Sequence, residues 1–153
     1  MPVLDHSRRA VDLARVAPAL AGKAAHTPLD ELLQRADIVA AVLPLSKKPR
    51  ASWARANSAA IFINGGRGAT VQENAPLEAL SHGSLRPAGL DVFATEPLPR
   101  DSPLCTHPKV TALPHIGSAT IETRHAMAVL ATTHLLQALA GEQPVALFDA
   151  VAG

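Results

Sequence analysis

Aromatic and cysteine side chains are scarce in this sequence. Its 153 residues include no tyrosine, one tryptophan, three phenylalanines and a single cysteine, Cys105. So few aromatic rings argue against a stacking platform of the kind that binds single-stranded nucleic acid. One cysteine excludes an internal disulfide framework and is typical of a reducing compartment. The core must therefore be built from leucine, valine, isoleucine and alanine.

An excess of one charge and long apolar runs are lacking as well. The 14 basic residues nearly balance the 13 acidic ones, so no field for nucleic acid or an anionic membrane is expected. No apolar run approaches the roughly 18 to 20 residues of a membrane span. The first residues also lack the pattern of a secretion signal. We therefore expect a cytoplasmic protein with neither a nucleic acid nor a membrane as partner.

Short apolar runs alternate with helical patterns along the chain. Strands are predicted at Ile38 to Leu43, Ala60 to Asn64, Ala88 to Phe93 and Val110 to Leu113, with the end of another at Val3-Leu4. Helices are predicted from Pro28 to near Ala36 with Thr27 as the cap of this first helix, from Pro76 to His82, and from about Thr120 to Ala140. Continuously apolar strands are typical of a sheet buried on both faces. The alternation predicts an α/β fold with a mostly parallel sheet.

Two motifs after predicted strands hold charged residues. In INGGRG, glycines flank Arg67, whose planar guanidinium could bind a carboxylate as a fork; a surface arginine after a flexible turn explains it equally well. In GLDVFATEPLP, Asp91 lies within an apolar run and Glu96 precedes a proline. Buried carboxylates need partners or change their pKa. For Asp91 alone, a turn or capping role explains the position better than catalysis does.

A third motif, PHIGSAT, places His115 just after the last predicted strand. Ligands of parallel sheets bind beyond the carboxyl ends of the strands, and a histidine there suits general acid-base chemistry. Six other histidines are present, so His115 taken alone is a weak candidate. The order of the three motifs carries more information than any one of them.

In that order and spacing, the motifs resemble those of the D-isomer-specific 2-hydroxyacid dehydrogenases. Arg67 and Glu96 are 29 positions apart, and Glu96 and His115 are 19 apart. With the DSPL element that begins at Asp101, these separations are most similar to the glyoxylate/hydroxypyruvate and 2-ketogluconate reductase branch. The resemblance implies hydride transfer between a nicotinamide and C2 of a small 2-oxo or 2-hydroxy acid.

The resemblance also implies roles for single residues. His115 would donate a proton to the C2 oxygen, and Glu96 would hold the imidazole and keep it protonated. Arg67 would clamp the substrate carboxylate. The implied cofactor-binding residues are Ser7, Arg8, Leu43, Pro44, Ser46, Asn64, Gly65, Gly66, Arg67, Asp91, His115, Gly117 and Ser118. No metal site is predicted.

The choice of cofactor depends on the residues that follow Leu4. An acid at this point, here Asp5, would bind the ribose hydroxyls of NAD, whereas arginines accommodate the 2'-phosphate of NADP. Ser7 and Arg8 match the phosphate-binding register of the reductase branch. The prediction is therefore NADP(H), with NAD(H) as the alternative; Arg8 and Arg9 could also be only a solvated surface pair.

The sequence departs from the family in having no G-x-G-x-x-G motif, which should precede Asp5 together with the strand and helix it joins. We expect a partial Rossmann-like, doubly wound parallel sheet without that first strand and glycine-rich loop, and with a long C-terminal helix. Residues 1–118 would form a truncated NAD(P)-binding domain. Residues 119–153 would form a helix and tail that in the family return toward the substrate domain. One sheet edge should then be unpaired.

The predicted function is reduction of small 2-oxo acids with NAD(P)H, by a D-2-hydroxyacid dehydrogenase of which this chain is the downstream part. The alternative is a non-catalytic remnant, or a dimerising nucleotide-binding module, with no turnover of its own. We expect a homodimer, or a partner that supplies the upstream half if that half is separately encoded. Without a glycine-rich loop to hold the pyrophosphate, the chain alone should bind cofactor weakly and turn over slowly or not at all.

Overall fold

Six short strands are found among the described residues, all in the first part of the chain. In the computed structural model, which describes residues 2–7, 18–20, 22–43, 57, 59–71 and 74–143, the strands are β1 (Val3–Asp5), β2 (Ala24–His26), β3 (Ile38–Ala41), β4 (Ile61–Asn64), β5 (Ala88–Leu90) and β6 (Val110–Ala112). All of them belong to one compact unit, Met1–His115, while Ile116–Gly153 forms a second.

The strands form two parallel sheets. β1 pairs with β2, and the other four follow in the order β3-β4-β5-β6. This arrangement confirms the predicted α/β fold with a parallel sheet. It also confirms the unpaired edge, because in the described part of the chain β1 pairs only with β2 and β3 only with β4.

Among the described residues, four α-helices accompany the strands: α1 (Leu29–Arg35), α2 (Asn74–Ser81), α3 (Pro103–Thr106) and α4 (Ile121–Leu139). The predicted cap of α1 was wrong. Pro28 is the N-cap residue, without a side-chain hydrogen bond, and the Thr27 hydroxyl donates to the carbonyl of Ala25 at 3.2 Å. Thr27 therefore stabilises the turn after β2 and does not cap α1, because its hydroxyl is hydrogen-bonded to a carbonyl within β2.

The hydrophobic core lies on one side of the larger sheet. Its largest fully buried side chains are those of Leu33 in α1, Phe62 in β4 and Leu104 in α3. Along β3, Val39 is buried and its neighbour Ile38 is 49% exposed. The prediction of strands buried on both faces was thus wrong for β3, because successive side chains point to opposite faces and the residues that the structure describes bury only one of those faces.

The second unit is dominated by α4. Thr120 caps it by accepting a hydrogen bond from the Thr123 N–H at 3.2 Å, which satisfies one of the helix's free donors. None of its residues is buried, and Ile121 and Leu139 are 84% and 76% exposed. Within the described ranges, no helix is both long and apolar enough to cross a membrane.

Candidate active site

The predicted site residues of the first unit follow the carboxyl ends of adjacent strands. Leu43 comes just after β3, Asn64 is the last residue of β4, and Asp91 directly follows β5. His115 comes shortly after β6. Because β3 to β6 are neighbours in one parallel sheet, these residues share the edge at which ligands of such sheets bind.

The Asn64 side chain organises the loop that carries Arg67. Asn64 is only 2% exposed. Its Oδ1 accepts a hydrogen bond from the Gly66 N–H at 3.2 Å, and its Nδ2 donates to the Arg67 carbonyl at 3.4 Å. The Thr70 hydroxyl donates to the same carbonyl at 2.6 Å. The amide of Asn64 is thus engaged in fixing the loop backbone, which the sequence pattern did not reveal.

The glycines of this loop allow close backbone contacts. A Cβ atom on Gly68 would lie 1.9 Å from the carbonyl carbon of Phe93, and one on Gly66 would lie 2.9 Å from the Leu43 carbonyl oxygen. Gly65 has no atom within 4 Å of its Cβ position. The Arg67 loop therefore packs against the backbone of the segment that leads to Glu96, and only glycine fits at position 68 without displacement.

Glu96 and His115 form a hydrogen-bonded pair. The Nδ1 atom of His115 lies 2.8 Å from Oε2 of Glu96, and Oε1 of Glu96 accepts from the Phe93 N–H at 2.9 Å. The side chains are 45% and 36% exposed. One carboxylate oxygen thus anchors Glu96 to the backbone while the other orients the imidazole.

The pKa of Glu96 is lowered from its ordinary value of 4.5. The hydrogen bond with His115 is the main cause, followed by the hydrogen bond from the Phe93 N–H. Desolvation, the third largest influence, raises the pKa, and the charges of His115 and Arg67 make smaller contributions that lower it. Glu96 is therefore a carboxylate at neutral pH, and Arg67 and His115 lie within its electrostatic reach.

The remaining contacts of Arg67 leave its guanidinium accessible. Arg67 is exposed, and one terminal nitrogen donates to the Gly66 carbonyl at 2.8 Å. A guanidinium has further N–H donors in a planar fork. Arg67 can therefore bind a carboxylate ligand while this contact is kept.

The backbone of His115 is strained. Its φ is 54°, in the left-handed region that few residues other than glycine adopt. Such conformations cost of order 1 to 3 kcal/mol and persist where the surroundings fix them, often at active sites. Here the hydrogen bond with Glu96 is one such constraint, and it supports a functional role for the imidazole.

Asp91 and Ser7 are present in the described part of the chain, both half-buried. The Asp91 N–H donates to the Asn64 carbonyl at 2.9 Å, which links the end of β5 to the Arg67 loop. Ser7 follows β1 in the smaller sheet. The predicted residues Arg8, Pro44 and Ser46 lie outside the described residues. Gly117 and Ser118 belong to the second unit, and their roles stay predictions.

Two histidines near Asp5 were not predicted as site residues. His26, at the end of β2, places its Nδ1 3.0 Å from Oδ2 of Asp5. Its ring stacks on that of His6 with centroids 6.0 Å apart, and His6 Nδ1 lies 3.1 Å from the Thr27 carbonyl oxygen. The only signal in the sequence was the position of His6 beside Asp5, because His26 is brought there by the pairing of β1 with β2.

Comparison with known proteins identifies the origin of this site. Residues 1–117 match the family described as D-isomer specific 2-hydroxyacid dehydrogenase, NAD binding domain. The chain belongs to this family. It is therefore a D-2-hydroxyacid dehydrogenase chain by descent, and its fold is the family's Rossmann-like NAD-binding fold.

Individual relatives of this dehydrogenase chain include glyoxylate/hydroxypyruvate reductase B of Klebsiella pneumoniae, with 49% identity over 146 residues. That alignment covers 92% of this chain and 44% of the relative. A glyoxylate reductase structure from Paecilomyes thermophila superposes with a TM-score of 0.80 at 31% identity, over 94% of this chain and 44% of that one. The chain thus spans less than half the length of these relatives.

A third relative is a D-isomer specific 2-hydroxyacid dehydrogenase of Xanthobacter autotrophicus Py2, solved in complex with NADPH and MES. It has a TM-score of 0.71 at 30% identity over 95% of this chain and 59% of that one. Membership of the family implies a nicotinamide dinucleotide cofactor. The residues present fit its two ends: the open position at Gly65 lies in the loop of Arg67, while Asp5 ends β1 and Ser7 follows it. No G-x-G-x-x-G loop for the pyrophosphate is present in the sequence.

Proposed function

We propose that this chain supplies the catalytic part of an NADPH-dependent reductase of small 2-oxo acids, of the glyoxylate/hydroxypyruvate type. The observation that carries the proposal is the 2.8 Å pair of Glu96 and His115 within the electrostatic reach of Arg67. A cation for the substrate carboxylate and an imidazole for proton transfer are the two groups that reduction of a 2-oxo acid requires.

His115 is the proton donor in this proposal. A bound nicotinamide would supply the hydride to C2, and the C2 oxygen then needs a proton. Since Nδ1 of His115 is held by Glu96, Nε2 is the ring atom that donates. Glu96 fixes the orientation of the ring and, because its own pKa is lowered, stays charged to balance an imidazolium.

Arg67 binds the carboxylate of the substrate and polarises the carbonyl at C2. Its carbonyl accepts hydrogen bonds from Asn64 and Thr70, so the backbone from which the guanidinium extends is held in place. A pre-positioned charge of this kind lowers the barrier without reorganisation during the reaction. The substrates we propose are glyoxylate, hydroxypyruvate and 2-ketogluconate, which share a 2-oxo carboxylate.

NADPH is the proposed cofactor, and NADH is the alternative. Asp5, whose Oδ2 lies 3.0 Å from His26 Nδ1, would bind the ribose hydroxyls of NADH, whereas Ser7 and Arg8 match the position at which the reductase branch binds the 2'-phosphate of NADPH. The NADPH bound to the Xanthobacter autotrophicus relative supports the same choice. The family description, an NAD binding domain, keeps NADH as the alternative.

A dimerising module without turnover is the second candidate function. The exposed apolar side chains of α4 favour it, since Leu136 and Leu139 are 61% and 76% exposed and apolar surface of this kind is usually covered by a partner. We propose a homodimer as that partner, with a separately encoded upstream half as the alternative. If this second function is correct, the chain should form dimers, and it should not consume NADPH even when it is joined to the missing upstream part of a relative.

The test uses the 153-residue chain alone and the same chain fused behind the complementary segment, defined as the part of the Klebsiella pneumoniae relative outside the matched region. NADPH consumption is followed with each of the three 2-oxo acids. We expect turnover by the fusion and little or none by the chain alone. His115→Gln should lower the kcat of the fusion by roughly 100-fold or more, whereas His82→Gln, an exposed histidine of α2's end, should not change it. No turnover by the fusion, or equal kcat for the two variants, would contradict the proposal.

A further inference from the structure

The pair of Asp5 and His26 has no part in the proposed reaction. It lies where β1 and β2 end, because Asp5 and His26 are partners in the register of those strands. Nδ1 of His26 lies 3.0 Å from Oδ2 of Asp5, and the two side chains are 38% and 31% exposed. The pair is therefore accessible to a ligand at the end of β1 that Ser7 follows.

Hydrogen bonds fix which nitrogen of each imidazole can change its protonation. An ionised carboxylate and a carbonyl oxygen only accept hydrogen bonds. His26 directs Nδ1 to Asp5, and His6 places Nδ1 3.1 Å from the Thr27 carbonyl oxygen, so both Nδ1 atoms are protonated donors. Nε2 is therefore the atom of each ring that gains or loses a proton.

The two rings lie together but differ in what they bond to. Their centroids are 6.0 Å apart and their planes are inclined by 12°. His6 is bonded to the backbone, whereas His26 is bonded to the Asp5 carboxylate. A proton on Nε2 of His26 therefore changes the pair from one net negative charge to none, whereas a proton on His6 leaves the charge of the pair as it was.

The charge of the pair decides which ribose it can bind. The adenosine ribose carries a free 2'-hydroxyl in NADH and a 2'-phosphate in NADPH. A carboxylate whose charge is unbalanced accepts hydrogen bonds from ribose hydroxyls and repels a phosphate. Once His26 is protonated, the charge of Asp5 is balanced and the Nε2–H becomes a charged donor, which is the kind of group that binds phosphate.

The neighbouring elements carry further charges that do not respond to pH in the same range. These groups are Lys23 before β2 and Asp30, Glu31 and Arg35 of α1, where Glu31 pairs with Arg35. Carboxylates, ammonium groups and guanidinium groups ordinarily keep their charge from about pH 6 to about pH 8.5, whereas histidine changes its charge within this range. Among the described residues of β1, β2 and α1, the pH response therefore comes from His6 and His26.

We propose that His26 determines the choice between NADPH and NADH and makes that choice depend on pH. The protonated pair of Asp5 and His26 binds the 2'-phosphate of NADPH, and the unprotonated pair binds the ribose hydroxyls of NADH. The preference for NADPH is therefore greatest at acidic pH and declines as pH rises, since Nε2 loses its proton. The inference rests on the proposed function for its cofactors only, and it adds a residue of β2 to the site.

The test compares adenosine 2',5'-bisphosphate with adenosine 5'-monophosphate, which differ only in the 2'-phosphate. Calorimetry measures their affinities for the 153-residue chain and for the fusion. We expect the ratio of the two affinities to be larger at about pH 6 than at about pH 8.5 by about tenfold. The partial exposure of the pair keeps the effect near this size, because solvent screens the charges.

His26→Gln keeps a side chain that can donate to Asp5 but cannot carry a charge. Its ratio should be about tenfold lower than that of the parent protein at the acidic pH. It should not fall as pH rises, because the phosphate itself gains charge above about pH 6. His6→Gln is the matched control, since it removes the neighbouring imidazole and leaves the pair of Asp5 and His26, and it should keep most of the pH dependence.

Circular dichroism and unchanged binding of adenosine 5'-monophosphate check that both variants fold. Equal ratios in the parent protein and His26→Gln at the acidic pH, a parent ratio that rises with pH, or the same loss in both variants would overturn the proposal. Failure of both the chain and the fusion to bind the bisphosphate would overturn it as well.

The outcome is separable from that of the proposed function. A fusion that binds the bisphosphate through His26 and fails to reduce 2-oxo acids would refute the proposed function and leave this inference standing. A fusion that reduces them with the same preference for NADPH at every pH would refute this inference alone.

Discussion

A single methyl group at position 68 should disrupt the candidate site. In Gly68→Ala the new Cβ would lie 1.9 Å from the Phe93 carbonyl carbon and 2.5 Å from the Ala94 nitrogen. Ordinary contact begins at 3.4 Å, so two backbone segments must separate by about 1.5 Å, the difference between 3.4 and 1.9 Å. Overpacking of this kind costs roughly 1 to 3 kcal/mol or more, and the rigidity of the backbone atoms places this case at the upper end.

Thermal unfolding measures the effect. At about 2 to 4 °C per kcal/mol for a chain of this size, Gly68→Ala should lower Tm by roughly 6 to 12 °C. In the fusion, a displacement of about 1 Å at Arg67 should also cost up to about 100-fold in kcat/KM.

Two neighbouring glycines provide graded controls in the same loop. Gly65→Ala meets no atom within 4 Å and should change stability by less than about 0.5 kcal/mol. The Cβ of Gly66→Ala would lie 2.9 Å from the Leu43 carbonyl oxygen, and its loss of stability should be intermediate between those of Gly65→Ala and Gly68→Ala. Equal Tm values for Gly65→Ala and Gly68→Ala would refute the close packing of the Arg67 loop against Phe93.

Three further predictions concern side-chain hydrogen bonds. The pKa of Glu96 is lowered chiefly by His115, so the stability that the Glu96 carboxylate contributes is present above pH 4.5 and lost as pH falls through the pKa of the folded protein. An NMR titration of the Glu96 carboxyl should give a midpoint below 4.5. His115→Gln should raise that midpoint. Asn64→Leu leaves the buried Gly66 N–H without its acceptor and should cost about 1 to 3 kcal/mol in thermal unfolding. The control is Asn57→Ala, which removes an exposed hydrogen bond from the Ala59 N–H that water can replace, and it should cost less than about 0.5 kcal/mol. Thr120→Ala removes the cap of α4 and should cost about 1 kcal/mol, seen as faster amide exchange in its first turn, while Thr120→Ser should retain the protection.

The larger elements and the contact between Glu96 and His115 could be predicted from the sequence. Apolar runs located β3 to β6, and the order of the motifs brought Glu96 and His115 together as partners. β2 and α3, with three and four residues, were missed because neither belongs to a longer apolar run, whereas β5 and β6 do. Helices and strands of this length depend on tertiary contacts more than on their own sequence.

Contacts between distant residues could not be predicted in the same way. His26 meets Asp5 across 21 positions only because β1 and β2 pair in register. The engagement of the Asn64 side chain with its own loop depends on backbone geometry that no residue pattern encodes. The exposed face of β3 is a similar case, since a continuously apolar strand does not reveal which of its faces the described residues cover.

The most direct test of the central claim is a double-mutant cycle on the reduction of glyoxylate by the fused protein. If Glu96 acts through the imidazole, it is a positioning residue, and removing it should matter only while His115 is present. We predict that Glu96→Gln lowers kcat in the parent protein and has no further effect in the His115→Gln background. Independent, additive losses would contradict a shared role and with it the assignment of the pair as the proton-donating unit.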